Sequence, residues 1–187
     1  MPQLLAEAAR GLPRLYFDQS PNFSPTIYRT DPSLIVIHDC EGSYKGSVKW
    51  FGALRSHVSA HFVVSEDGSE MTQCVPLTKK AWHACFYNAF RGAPSLSIEL
   101  GGYEAKGFGP AEWQSVARVT ALFCHRFKIP VQASRGDRPG IARHYDLGIK
   151  GGGHRDPTLD TVTWAKFLMS VAGELKKGDF PDSWGRS

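Results

Sequence analysis

A histidine ends the apolar run Leu34-Ile35-Val36-Ile37-His38, and two further groups answer it a hundred residues later: His144, and the segment His154-Arg155-Asp156-Pro157. Two imidazoles and a carboxylate, far apart in sequence and brought together only by a fold, form the donor set of a catalytic zinc site. Such a site takes three protein ligands and leaves a fourth position for water. His38 closes a strand pattern, and the carboxyl ends of strands are where open α/β sheets place their ligands. Gly151-Gly152-Gly153 lets the backbone fold closely around a site, and His154 and Asp156 follow it directly. The chemistry these residues imply is metal-assisted hydrolysis.

Those residues need a scaffold, and the hydrophobic pattern supplies one. Leu34 to His38 reads as a strand buried on both faces. Gly46 to Arg55 carries Val48, Phe51 and Leu54 at helical spacing. His61 to Val64 and Glu70 to Val75 flank Asp67-Gly68, the pattern of a hairpin. Leu96 to Leu100 predicts a further strand. A long amphipathic helix opens at Pro110 and is closed by Pro130, and a last helix is capped by Asp160 and stops near Gly178. The expected fold is α/β: a single domain with a central mixed β-sheet flanked by helices. Residues 1–30, punctuated by four prolines, read as a short helix at Leu4 to Arg10 and an extended arm. The catalytic domain is expected over 31–177, and 178–187 as a frayed tail.

Composition narrows the field. The chain has 187 residues, 42% hydrophobic and 21% charged, which suits one ordinary globular domain. No apolar stretch approaches the roughly 20 residues that span a bilayer, so membrane insertion is not expected. The opening residues lack a basic segment and are broken by Glu7, a poor secretion signal, so synthesis in the cytoplasm is expected. A net charge of +4 is scattered, with no basic run interleaved with aromatics, which argues against a nucleic-acid partner. Cys40, Cys74, Cys85 and Cys124 form no CxxC pair. Cys74 and Cys124 read as core residues, and Cys40 as a residue that lines a pocket.

Six segments in order carry a resemblance: Ile35-Val36-Ile37-His38, Ser59-Ala60-His61-Phe62-Val63-Val64 with Asp67-Gly68, Ala81-Trp82-His83-Ala84, Leu96-Ser97-Ile98-Glu99-Leu100, His144-Tyr145-Asp146, and His154-Arg155-Asp156-Pro157. Across residues 34–164 the chain resembles the zinc-dependent N-acetylmuramoyl-L-alanine amidases, the family of phage lysis amidases, muropeptide-recycling amidases and peptidoglycan recognition proteins. The resemblance implies zinc held by His38, His144 and Asp156, with Glu99 as general base. It implies peptidoglycan or a muropeptide as substrate, a groove bordered by Trp82 and His83, and a monomer. Asp39, Tyr44 and Arg143, beside the ligands, are candidates for substrate contact. Many members carry a lysine where this chain has His154, so His154 is expected to stabilise the oxyanion. The alternative makes His154 the ligand with Asp156 behind it, and the Asp-Pro pair favours Asp156. Some phage members place a catalytic tyrosine where Ala60 stands, and that route is absent. An endolysin released through a holin is the expected setting. A cytoplasmic recycling amidase and a non-catalytic wall-binding module are the alternatives.

Overall fold

The run Leu34–Asp39 is buried over its whole length, as its branched apolar side chains require of a strand covered on both faces. In the computed structural model, which describes residues 2–8, 11–181, 184 and 185, it is the third strand of a mixed sheet. The seven strands of this sheet are β1 (Gln3–Ala6), β2 (Arg14–Phe17), β3 (Leu34–Asp39), β4 (Phe62–Val64), β5 (Glu70–Gln73), β6 (Leu96–Leu100) and β7 (Gly140–Arg143). Their spatial order is β1-β2-β5-β4-β6-β3-β7. β4, β6, β3 and β7 run parallel, so their carboxyl ends share one edge. β4 and β5 form the expected hairpin. Gly68 in its turn has φ +70°, and a Cβ there would meet the Ala111 carbonyl oxygen at 2.5 Å, so only glycine fits.

Alternation along the strands sorts the two faces. Ile35 and Ile37 of β3 join Leu96, Ile98 and Leu100 of β6 in the main core, under helices α2 (Pro110–Phe127) and α3 (Thr161–Lys177). Leu34 and Val36 pack on the opposite face against Ala84, Tyr87 and Phe90. Helix α1 (Tyr44–Phe51) covers Val63 and Cys74 on that face. By the same alternation His38 and its register partner Glu99 point away from α2 and α3. The helix ends follow their signals. Pro110 opens α2, and the Asp160 carboxylate accepts the amide hydrogens of Val162 and Thr163 at 2.8 and 2.9 Å. Cys74 and Cys124 are buried, as expected.

Both ends of the chain differ from the sequence expectation. Of the expected N-terminal helix, residues 4–6 lie in strand β1, antiparallel to β2, and Glu7 and Ala8 are irregular; Ala9 and Arg10, its last two residues, lie outside the described residues. β2 in turn pairs with β5, and Leu15 is fully buried, so sheet pairing overrides the local helical preference. At the other end, Trp184 is 2% exposed, stacked on Phe62 at 5.9 Å between ring centroids and tilted against Phe123. The expected frayed tail therefore carries a core residue. Among the described residues its indole N–H finds no partner, which places truncation at the lower end of the range for a buried tryptophan. Trp184→Ala is expected to cost about 3 kcal/mol of stability in urea denaturation. A loss below about 1 kcal/mol would make the tail the dispensable end its composition suggests. Among the described residues no helix is long and apolar enough to cross a membrane.

Candidate metal centre and cleft

The shared carboxyl edge of β3, β6 and β7 delivers His38 and Asp39, Glu99, and His144 one residue after Arg143. A cleft of about 840 Å³ opens at this edge. At its base the Nδ1 atoms of His38 and His144 lie 3.0 Å apart. The Asp156 carboxylate reaches both, 3.0 Å from His144 Nδ1 and 3.4 Å from His38 Nδ1. The loop that brings Asp156 in is tied to the strand end by the Tyr145 amide, which donates to the Asp156 carbonyl oxygen at 2.9 Å.

The donor chemistry fits a metal ion. His144 Nε2 lies 2.7 Å from the Gly151 carbonyl oxygen, an acceptor only, so Nε2 carries a proton and Nδ1 is the nitrogen left to face a metal. Burial pushes His38 down to about 4 against the opposing pull of Asp156, so its imidazole is neutral near pH 7. Burial acts to raise the Asp156 carboxyl, but hydrogen bonding and charge from His144 and His38 outweigh it and hold it well below the ordinary range. Two imidazole nitrogens and a carboxylate thus converge on one point. Tetrahedral zinc with bonds near 2.0 Å separates its ligand atoms by about 3.3 Å, close to the spacings here. His38, His144 and Asp156 form a group able to hold a metal, and His154 stands outside it.

The other expected residues divide. Glu99 is buried and lines the cleft on the face of His38. Burial, then the charges of Asp156 and Asp39, push its carboxyl well above the ordinary value. The His154 ring stacks on His144 at 4.8 Å with its Nδ1 4.0 Å from Asp156. Gly152 permits this approach, because with φ +111° a Cβ there would sit 2.9 Å from the His154 ring. Trp82, His83 and Asp39 all line the cleft. Trp82 donates its indole hydrogen to Ser24 Oγ at 3.1 Å, and His83 Nδ1 lies 3.0 Å from His38 Nε2. Asp39 is buried, and burial raises its carboxyl to about 7.

Arg143 is not brought to the cleft. Its guanidinium forks onto Asp146 at 2.8 and 2.7 Å and reaches the Leu159 carbonyl, which fixes the turn after β7. Tyr44 is likewise turned inward, its hydroxyl 2.6 Å from Thr72 Oγ1. Cys40 lines the cleft, but burial and then the charge of Glu99 push its thiol well above the ordinary value, which makes it a poor nucleophile. Sequence reasoning missed Trp50 and Tyr103, which also line the cleft. Trp50 had a legible signal: a large aromatic off the apolar stripe of its helix, 48% exposed.

Residues 28–159 match the family described as N-acetylmuramoyl-L-alanine amidase. Over 109 residues the chain is 33% identical to N-acetylmuramoyl-L-alanine amidase A of Achromobacter lyticus, a match covering 57% of this chain and 58% of that protein. Over 198 aligned positions it is 31% identical to 1,6-anhydro-N-acetylmuramyl-L-alanine amidase AmpD of Citrobacter freundii, covering 92% of this chain and 95% of that one. Among solved structures, the PlyG catalytic domain superposes with a TM-score of 0.68 at 17% identity, covering 90% of this chain and 99% of that one. A selenomethionine derivative of AmpD gives 0.61 at 23% identity over 90% and 99%. These two share the fold.

Proposed function

The chain belongs to the N-acetylmuramoyl-L-alanine amidase family, and from that premise we propose that it is a zinc-dependent hydrolase of the amide joining the lactyl group of N-acetylmuramic acid to the L-alanine of the peptidoglycan stem. The observation that carries the reading is the convergence of His38 Nδ1, His144 Nδ1 and the Asp156 carboxylate at the base of an open cleft. When bound there, zinc supplies Lewis acidity toward the scissile carbonyl and lowers the pKa of the attacking water. Glu99, held on the face of His38, takes a proton from the attacking water and passes it to the leaving amine. His154 donates a hydrogen bond to the negative charge that develops on the carbonyl oxygen. Trp82 and Trp50 offer flat apolar faces to sugar and peptide. Every group in this scheme comes from one chain, so a monomer suffices.

Two settings use this chemistry. As a holin-released endolysin the protein meets intact wall, and the mild positive charge favours that anionic polymer. A recycling role is favoured by the end-to-end match with AmpD, whose name specifies a 1,6-anhydro sugar. The test is release of L-alanine amino groups from purified peptidoglycan and from soluble 1,6-anhydromuropeptide, with a chelator and after restoring zinc. Chelation is expected to stop release, and zinc to restore it to within about twofold of the starting rate. Faster turnover of intact wall supports the endolysin, and faster turnover of the soluble fragment supports recycling. A chain that binds zinc and wall yet releases no amine from either would be a recognition module instead.

A further inference from the structure

His83 belongs to no proposed step of the reaction, yet it touches a ligand of the metal set. Its Nδ1 is 3.0 Å from His38 Nε2, and the two rings meet edge-on with centroids 5.1 Å apart. Its other nitrogen, Nε2, is 2.9 Å from Ser95 Oγ. The Ser95 hydroxyl in turn donates to the Tyr87 carbonyl oxygen. The segment carrying these groups is closed on itself: the Asn88 side-chain oxygen accepts the amide hydrogens of His83 and Ala84, and the Ser95 amide donates back to the Asn88 carbonyl oxygen.

The direction of this chain of hydrogen bonds follows from its last member. A carbonyl oxygen only accepts, so the single Ser95 hydroxyl proton is committed to Tyr87. Ser95 Oγ must then accept from His83 Nε2–H. A neutral imidazole with its proton on Nε2 has a lone pair on Nδ1, so His83 accepts from His38 Nε2–H. The His38 proton is thereby held on the side away from Asp156, and its Nδ1 lone pair is left facing His144 and Asp156. The opposite tautomer would set two lone pairs against each other between His83 and Ser95, a buried mismatch of the kind proteins avoid.

We propose that His83 is a positioning residue for the metal centre: with Ser95 and the Tyr87 carbonyl it fixes the His38 tautomer and ring orientation that present Nδ1 to the ion. The inference rests on the metal reading of the preceding section, and it reaches the same end for His38 that the Gly151 carbonyl reaches for His144. His83→Ala frees the His38 ring and removes the acceptor of its proton. The amide of His83→Gln can accept from His38 and donate to Ser95 in the same direction.

The test measures zinc affinity of the full chain by competition with a chromophoric chelator, with long-range 1H–15N spectra of metal-free wild-type protein. Affinity is expected to fall 10- to 100-fold in His83→Ala, the range for lost outer partners of metal ligands. His83→Gln is expected to return it to within about threefold of wild type. The wild-type spectrum should show His38 and His83 protonated on Nε2. Unchanged affinity in folded His83→Ala overturns the proposal and leaves His83 a substrate contact. A His38 proton on Nδ1 overturns it as well, and this measurement decides even where the alanine variant does not fold. Wild-type protein that binds no zinc overturns the metal reading together with this role. Wild-type protein that binds zinc but hydrolyses no amide leaves the role standing, so the two failures are distinguishable.

Discussion

Asp156→Ala is expected to abolish zinc binding and amide hydrolysis together, cutting kcat/KM by on the order of a thousandfold or more, with the fold intact. Losing an outer partner of a ligand costs 10- to 100-fold, and removing one of three ligands costs more. The carboxylate is also the only anion of the set, so its loss leaves two imidazoles whose Nδ1 atoms sit 3.0 Å apart to share a dication. Little else depends on the side chain. The tie between Tyr145 and residue 156 runs through the backbone carbonyl and survives the substitution. Zinc content after dialysis, amine release from peptidoglycan and a thermal melt check the three parts. Asp156→Ala that keeps hydrolysis within tenfold would move the third ligand to His154, whose Nδ1 lies 4.0 Å from the Asp156 carboxylate. His154→Ala would then become the inactive variant.

What the sequence could convey about this site depended on how each residue is positioned. His38 was legible because it ends a strand whose apolar run is continuous, whereas Glu99, on a weakly alternating strand, was legible only through the family resemblance; their pairing across β3 and β6 is a consequence of parallel strands ending at one edge. The helices α2 and α3 were legible from proline, aspartate and the spacing of apolar residues, all local signals. The terminal elements were not. Leu4 and Leu5 suit helix or strand equally, and only β2 across the sheet decides between them. Trp184 reads as one of two aromatics in a polar tail until the rings of Phe62 and Phe123 that it packs on are in place. Arg143 precedes a ligand, which suggested substrate contact, but Asp146 one turn on captures its guanidinium. The partnership of His83 with His38 had no local signal at all, since 45 residues separate them and the link is made by tertiary packing.

Glu99→Gln is expected to lower kcat by 10²- to 10⁴-fold, the usual contribution of a positioned proton acceptor, while zinc affinity stays within a few-fold of wild type. The two carboxyl groups of this cleft sit in environments that drive them apart. Asp156, facing two imidazoles, is held low and stays ionised, as a ligand must. Glu99, buried and repelled by Asp156 and Asp39, is pushed high in the metal-free chain, and a dication at the ligand set acts in the opposite sense, toward the ionised form that can accept a proton. That elevation has a thermodynamic sign. Below the ordinary carboxyl value of 4.5, folded and unfolded chains both hold the proton. As pH rises toward the folded value the unfolded chain releases it first, so the wild-type fold loses stability with rising pH. Glutamine does not titrate and escapes that loss. Metal-free Glu99→Gln is therefore expected to melt higher than metal-free wild type at neutral pH, with the difference vanishing below about pH 4. Near-wild-type turnover would remove Glu99 from the reaction, and loss of zinc would make it part of the metal set. A higher melting temperature joined to a collapsed kcat would mean that the fold tolerates a destabilising buried carboxyl because the reaction requires one there.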